Sequence, residues 1–169
     1  MPHLSLNPNQ MAYQPDFHNL SPDHAHYGKV ARLLADHGYR PQSFDDFCAF
    51  FAKAPYQICA LQEADEVLAA CLYSQLDDVI DIIEIAVLPD RRRFGLGHLL
   101  LSKLCDMAKQ AGAGSIILDV AETNQAAIAL YRKQHFAIIG RRNGYYQGEK
   151  GSDNRKIDAL IMELKLHQT

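Results

Sequence analysis

The sequence lacks the features that would assign it to a membrane, secreted or zinc-binding class. No apolar run approaches the roughly 20 residues of a membrane-spanning helix, and the first residues contain no apolar signal-peptide segment. The four cysteines, Cys48, Cys59, Cys71 and Cys105, form no C-x-x-C pair, which favours reduced, buried thiols over bridges or metal ligands. We therefore expect a cytoplasmic protein with no metal site and no membrane contact.

The chain also lacks an excess of basic residues. Its 17 Lys and Arg residues are outnumbered by 20 Asp and Glu residues, which gives a formal net charge of −3 at pH 7. A protein of this charge has no general attraction for nucleic acid or for anionic membranes. We therefore expect no nucleic-acid partner, and any anion site must be local.

Length and composition predict one globular domain. The chain has 169 residues, of which 48% are hydrophobic and 22% charged, as in ordinary globular proteins. Residues 1–14 are rich in Asn, Pro and Gln and show no apolar periodicity. We expect these residues to form a flexible N-terminal arm and residues 15–169 to form the folded domain.

Residues 91–98 combine three arginines with two glycines, yet they match neither common phosphate-binding motif. A P-loop requires Lys and then Ser or Thr after its second glycine, and a dinucleotide-binding loop requires a third glycine where Leu100 stands. The segment nevertheless precedes a predicted helix, whose unpaired N–H groups and partial positive charge favour an anion. Gly95 and Gly97 would let a ligand approach the backbone. The sequence therefore predicts a phosphate or pyrophosphate site of another type.

The apolar pattern predicts an α/β domain with a mixed sheet. Strand 81–87, helix 96–111 and strand 115–121 have the spacing of a right-handed crossover, so the two strands are expected to be parallel neighbours. The other strands are expected at 17–20, 56–61, 67–74, 136–140 and 160–166, with a polar loop at 141–158.

Capping residues predict where the other helices begin and end. Ser21-Pro22 is expected to open a first helix that Gly38 ends, and Ser43 to cap a second, amphipathic helix. Thr123 or Asn124 is expected to cap a later helix that runs to about residue 134.

Three polar residues that could take part in catalysis lie within and just after the predicted strand 115–121. Asn124 and Tyr131 are seven residues apart, which is two helical turns, so both side chains are expected on one helix face. Asp119 lies near the end of the preceding strand. The strand end and the helix face are therefore expected to enclose one cleft.

These segments together resemble the GCN5-related N-acetyltransferases, and in particular the bacterial RimI-type enzymes that acetylate the N-terminal alanine of a small-subunit ribosomal protein. The resemblance covers roughly residues 82–164, whereas the first 50 residues match poorly. It is carried by Ile85-Ala86-Val87, Arg92-x-x-Gly95-x-Gly97, Asn124-x-Ala126-Ala127-x-x-Leu130-Tyr131, Arg141-Arg142-Asn143 with Tyr145-Tyr146, and Asp158-Ala159-Leu160-Ile161-Met162.

The resemblance implies a single acetyltransferase domain that uses acetyl-CoA and no metal. Its fold would be a mixed, mostly antiparallel central sheet with helices on both faces and a parallel β-α-β core. The partner would be a protein or peptide N-terminus, here most simply that of a ribosomal protein. The residues expected to bind acetyl-CoA are Ile85, Ala86, Val87, Arg92, Arg93, Phe94, Gly95, Leu96, Gly97, His98 and Asn124.

The resemblance also implies a general base at Asp119 and a general acid at Tyr131. The family has glutamate at the position of Asp119, so the shorter side chain leaves other candidates open. Glu84 is one, because many members of the superfamily place a base on its strand; Glu122 or no dedicated base are the others. No cysteine lies near Asp119 or Tyr131 in sequence, so direct attack on the thioester is expected rather than an acyl-enzyme.

The acceptor is the least determined part. Tyr145 and Tyr146 match paired tyrosines of the family and would flank a peptide in the loop before the last strand. A small-molecule or lysine acetyltransferase of the same superfamily and a non-catalytic acetyl-CoA-binding module are the alternative functions. The family usually has glycine before Phe136, so we expect a left-handed backbone at Gln134 or His135.

Overall fold

The computed structural model describes residues 15–20, 25–38, 43–51, 56–147 and 156–166. The expected N-terminal arm, residues 1–14, lies outside the described residues. The elements, in chain order, are β1 (Asp16–Leu20), α1 (Tyr27–His37), α2 (Phe44–Phe51), β2 (Tyr56–Glu63), β3 (Glu66–Leu76), β4 (Val79–Val87), α3 (Leu96–Gln110), β5 (Ser115–Ala121), α4 (Gln125–Lys133), β6 (Ala137–Gln147) and β7 (Lys156–Lys165).

The strands form one seven-stranded sheet in the order β1-β2-β3-β4-β5-β7-β6. The neighbours β4 and β5 are parallel, as the crossover spacing predicts, and every other described pair is antiparallel. The structure therefore confirms the expected mixed, mostly antiparallel α/β fold.

Helices cover both faces of the sheet because the strands β2, β3 and β4 alternate their side chains between two apolar clusters. On one face, buried leucines of α3 such as Leu100 and Leu104 pack with Ile82 and Ile116. On the other, Leu34 of α1 packs with strand residues and with Phe47 of α2. Helices are thus found on both faces, as expected.

Local caps place the second helix where the sequence predicts it. The Ser43 hydroxyl accepts a hydrogen bond from the Asp46 backbone N–H at 3.1 Å and donates one to the Asp46 carboxylate at 2.6 Å. The first helix begins at Tyr27 and not at the predicted Ser21-Pro22 start, and residues 21–24 lie outside the described residues.

The prediction of a polar loop over residues 141–158 is wrong for its described part. β6 continues to Gln147 and β7 begins at Lys156. The apolar pattern did not predict this part of β6 because the strand lies at the edge of the sheet and most of its residues face solvent. Two irregularities also interrupt the alternation of its side chains. One of these irregularities contains Gly144, whose φ is +60°.

Candidate active site

The site lies where the parallel strands β4 and β5 separate. Their pairing runs from Val79 opposite Ser115 to Ile82 opposite Leu118 and goes no further in the described residues. Beyond that point the strands diverge, and a cleft of about 1230 Å³ opens between them. The diverging half of β4 thus has no β5 partner for the backbone groups on that side.

A bulge in β4 decides which way Glu84 points. Tyr73 of β3 pairs with Ile82 and the next residue, Leu72, pairs with Glu84, so Ile83 is the extra residue. Without the bulge, Glu84 would share the face of Ile82, which packs with α3. With it, Glu84 faces α1, where a Cβ added to Gly38 would lie 2.8 Å from the glutamate Cγ and Cδ.

Glycine is favoured at positions 95 and 97 for different structural reasons. Gly95 is the residue before α3, has φ of +81°, and has open space where a Cβ would stand, so its backbone conformation is what favours glycine. Gly97 has ordinary φ, but an added Cβ would lie 3.3 Å from Leu130 of α4. Gly97 thus permits close packing of α3 against α4, whereas Gly95 has open space where a Cβ would stand, and both glycines line the cleft.

The three arginines before α3 also differ. Arg91 forms an ion pair with Glu66 at 3.0 Å, and the Arg92 Nε donates to the Val87 carbonyl at 3.2 Å. Arg92 and Arg93 line the cleft. The local basic charge is therefore concentrated where the opened strand meets the helix start.

Most of the predicted site residues are brought together in this one cleft. Two are not among its lining residues: Ala86 is 2% exposed and packs in the core on the α1 face, and Phe94 is 74% exposed. The lining residues that the sequence predicts are Glu84, Ile85, Val87, Arg92, Arg93, Gly95, Leu96, Gly97, His98, Asp119, Asn124 and Tyr131.

Tyr131 is a buried tyrosine at the cleft wall. It is 8% exposed, its ring lies 5.8 Å from that of Phe136, and its hydroxyl makes no hydrogen bond to another residue in the described part of the chain. Burial raises the pKa of Tyr131 well above its usual range, and the nearby Glu84 carboxylate raises it further. The hydroxyl therefore keeps its proton at neutral pH.

The helix that carries Tyr131 begins as the sequence predicts. The Asn124 side chain accepts a hydrogen bond from the Ala127 backbone N–H at 3.2 Å and so caps α4. The helix is followed by His135 with φ of +66°, which confirms the expected left-handed residue.

Two arginines of β6 bind different carboxylates near the end of β5. The Arg142 Nε lies 3.2 Å from Asp119, whereas Arg141 pairs with Glu122 at 3.0 Å and with Asp158 at 2.9 Å. Glu122 is absent from the residues lining the cleft, and Asp119 is among them. The geometry therefore favours Asp119 and Glu84 over Glu122 as carboxylates that face a ligand.

Sequence reasoning missed Asp81, which also lines the cleft. Its carboxylate has no hydrogen bond or ion pair to another described residue. Burial raises the pKa of Asp81, the charge of Asp119 raises it further, and Arg142 lowers it. The signal available in the sequence was a polar residue within the apolar run 80–87. Whether the Asp81 side chain faces the cleft, however, depends on the strand register.

Tyr146 was expected only to flank a peptide, yet it also contacts β5. Its hydroxyl donates to the Asp119 backbone carbonyl at 3.1 Å. Tyr145 is 44% exposed and meets the Tyr146 ring edge-on, with 5.0 Å between centroids.

The described residues include no cluster of three His, Cys, Asp or Glu side chains able to hold a metal ion. None of the helices in the described ranges is long and apolar enough to cross a membrane.

Comparison with known proteins agrees with this geometry. Residues 18–136 match the model of the Acetyltransferase (GNAT) family. The [ribosomal protein bS18]-alanine N-acetyltransferase of Salmonella typhimurium is 38% identical over 104 residues, which are 61% of this chain and 68% of that enzyme. The Escherichia coli enzyme of that name is 38% identical over 89 residues, 53% of this chain and 57% of its own length.

A relative with a different acceptor is similar over a shorter stretch. The streptothricin acetyltransferase of Streptomyces lavendulae is 38% identical over 80 residues, 47% of this chain and 42% of that enzyme.

Solved structures share the fold over nearly the whole chain. The ribosomal-protein-S18-alanine N-acetyltransferase from Escherichia coli superposes with a TM-score of 0.77 at 27% identity, covering 92% of this chain and 96% of that one. An acetyltransferase from Bacillus subtilis in complex with CoA gives a TM-score of 0.74 at 17% identity, covering 91% and 100%.

Proposed function

This chain belongs to the acetyltransferase (GNAT) family, and we propose that it transfers the acetyl group of acetyl-CoA to the N-terminal α-amine of a protein. The acceptor we propose is the N-terminal alanine of a small-subunit ribosomal protein. The observation that carries the proposal is the opened β4–β5 cleft, whose lining residues include Tyr131, Asp119 and the start of α3.

The cleft suits the shape and charge of acetyl-CoA. Its phosphates would lie at the start of α3, where the N–H groups of the first turn and the positive charges of Arg92 and Arg93 would favour an anion. The amide groups in the extended arm of acetyl-CoA would form hydrogen bonds with the backbone of the half of β4 that is not paired with β5. Acetyl-CoA supplies the thioester; the described residues supply binding, orientation and proton transfer.

Two side chains account for the proton movements in a direct attack. Asp119 accepts a proton from the acceptor ammonium, directly or through a water, and the amine nitrogen then forms a bond to the acetyl carbon. When the tetrahedral intermediate collapses and the carbon–sulfur bond breaks, Tyr131 donates its proton to the departing thiolate, and the second proton lost by the nitrogen returns Tyr131 to its neutral form. Glu84, on the opposite strand of the cleft, is the second candidate base. An α-amine has a pKa of about 8 against about 10.4 for lysine, so its deprotonation demands less of the base.

The features beside β6 favour a peptide acceptor. Tyr145 and the buried Tyr146 line the cleft next to the proposed base, and an exposed aromatic side chain such as Tyr145 can flank an extended chain. Two of the compared relatives carry bS18-alanine N-acetyltransferase names. A ribosomal partner and a cytoplasmic location are part of the proposal.

A small-molecule amine is the second candidate acceptor. It is favoured by the similarity to streptothricin acetyltransferase and by the three carboxylates in the cleft, Asp81, Glu84 and Asp119, which would attract a compact polycation.

Mass spectrometry of three acceptors incubated with the protein and acetyl-CoA separates these functions. The first is a peptide with a free N-terminal alanine in its ribosomal context, the second the same peptide with a blocked N-terminus and internal lysines, and the third a streptothricin-type amine. We expect a gain of one acetyl group on the first peptide only. Modification of the amine alone would replace the proposal by the second candidate. Binding of CoA without any product would leave a non-catalytic CoA-binding module.

A further inference from the structure

The Asp119 carboxylate is held by a side chain from a strand that is not its neighbour. We propose that Arg142 of β6 is the positioning residue for Asp119, which it orients for proton transfer. This inference rests on the proposed function, because it assigns Arg142 a task in that reaction.

The contact spans the intervening strand β7. Arg142 lies opposite Ala159 of β7, and Asp119 lies opposite Ile161, two residues further along the same strand. All four side chains therefore share one face of the sheet. From there the Arg142 Nε reaches both carboxylate oxygens, at 3.3 Å from Oδ1 and 3.2 Å from Oδ2.

The arginine is itself held from the side. Its guanidinium lies over the Tyr145 ring, 5.5 Å from the centroid, and a cation over an aromatic ring is attracted to the ring face. Tyr145 in turn packs edge-on against Tyr146, whose hydroxyl binds the Asp119 backbone carbonyl. β6 thus fixes both the carboxylate and the backbone of Asp119.

The neighbouring Arg141 has a different task. It bridges Glu122 and Asp158, and the Asp158 carboxylate also accepts the Gly144 N–H at 2.8 Å. These contacts join the β5–α4 connection to the β6–β7 hairpin and involve no side chain that lines the cleft. Arg141 is therefore the matched control for Arg142: the same residue type, one position away, pairing with carboxylates outside the cleft.

Orientation matters because an aspartate is short. A base acts only within hydrogen-bond reach of the proton it accepts, and small displacements of a catalytic group cost large factors in rate. The exposed fractions of the pair are 21% for Asp119 and 54% for Arg142, so the net stability gained from the ion pair is small. We therefore expect loss of the ion pair to lower turnover more than stability.

A double-mutant cycle tests whether Arg142 acts through Asp119. The variants are Arg142→Gln, Asp119→Asn and the pair, assayed by steady-state kinetics with the acceptor that the wild-type protein acetylates. We expect Arg142→Gln to lower kcat about tenfold in the wild type and less than twofold in the Asp119→Asn background, with KM for acetyl-CoA unchanged. Arg142→Lys should recover part of the loss, because it keeps the charge without the planar Nε–H.

Arg141→Gln serves as the control in the same cycle. It should change kcat by the same factor with or without Asp119, whatever it does to the unfolding midpoint. Equal effects of Arg142→Gln in the two backgrounds would overturn the inference while leaving the proposed function intact. A wild-type protein that acetylates no amine would overturn the proposed function, and this inference with it.

Discussion

The strand pair β4–β5 has two ends that differ in almost every respect. At the closed end, residues 79–82 pair with 115–118, and Ile80, Ile82 and Ile116 are buried against α3. At the open end the strands separate and polar side chains, Glu84 and Asp119 among them, line a cleft. Two adjacent stretches of one pair thus build a core and most of a site, to which the closed end adds the Asp81 side chain.

Strand pairing and ligand binding thus compete for the same backbone groups of β4. At the closed end the N–H and C=O groups of β4 are used by β3 and β5, which excludes a ligand. At the open end, the backbone groups on the β5 side of β4 remain available to a ligand. Changes at the closed end should therefore affect stability, and changes at the open end should affect turnover or ligand affinity.

The largest expected effect is on stability at the closed end. Ile116 is fully buried, so Ile116→Ala should lower the free energy of unfolding by about 3 kcal/mol through lost burial and the cavity left. Turnover of the folded fraction should stay within twofold. Ile117→Ala, one residue away and only half-buried on the opposite face, should cost less in chemical denaturation. Equal losses for the two variants would contradict the assignment of the closed end to the core.

The next largest effect is on turnover at the open end. Tyr131→Phe should lower kcat about 100-fold, which is about 2.7 kcal/mol, with little change in CoA affinity, because only the proton donor is lost. Because the pKa of Tyr131 is raised by burial, wild-type turnover should show no loss from its ionisation near pH 10, the ordinary tyrosine pKa.

Tyr73→Phe is the control for that variant. Tyr73 is also buried with a raised pKa, but its hydroxyl bonds to Asn19 and Gln57 away from the cleft. It should cost stability and leave kcat unchanged. Comparable kcat for Tyr131→Phe and wild type would remove the acid assignment.

A smaller effect is expected where α3 meets α4 beside the open end. Gly97→Val would place a side chain against Leu130, displace the start of α3, and weaken CoA binding about tenfold by isothermal titration. Gly28→Val on the exposed side of α1, where an added Cβ meets nothing, should leave CoA affinity unchanged. Unaltered affinity in Gly97→Val would mean that the start of α3 does not bind the cofactor.

The smallest effect concerns pH and the two carboxylates Asp81 and Asp158. The folded-state pKa of Asp81 is raised, so its ionised form costs stability above that pKa, and Asp81→Asn should stabilise the protein at neutral pH. That gain should vanish below the unfolded value of about 3.9.

Asp158 should show the opposite sign. The Gly144 N–H and Arg141 lower the pKa of Asp158, so its contribution is present above about pH 3.9 and is lost as pH falls through the lower folded value. Asp158→Asn should destabilise the protein at neutral pH and not at strongly acid pH. Urea unfolding at several pH values measures both variants, and the same sign for the two would contradict the assigned environments.

Features whose causes lie within a few residues of each other can be predicted from the sequence alone. Asn124 caps α4 through a neighbour three residues away, and Gly95 takes a left-handed φ that glycine allows. The crossover from β4 to β5 follows from segment lengths and the fixed handedness of such connections. These local causes suffice to predict an α/β domain with a parallel β4–β5 pair, whereas the expected residues of the cleft wall rest on the family resemblance as well.

Which carboxylates face the cleft, and which side chains hold them, depends instead on contacts between segments that are distant in sequence. The bulge at Ile83 turns Glu84 to another face, and it arises from pairing with β3, a distant segment. The contact between Arg142 and Asp119 crosses β7 and depends on the register of three strands. A one-residue change of register reverses every side chain, so no pattern within one segment could predict these contacts.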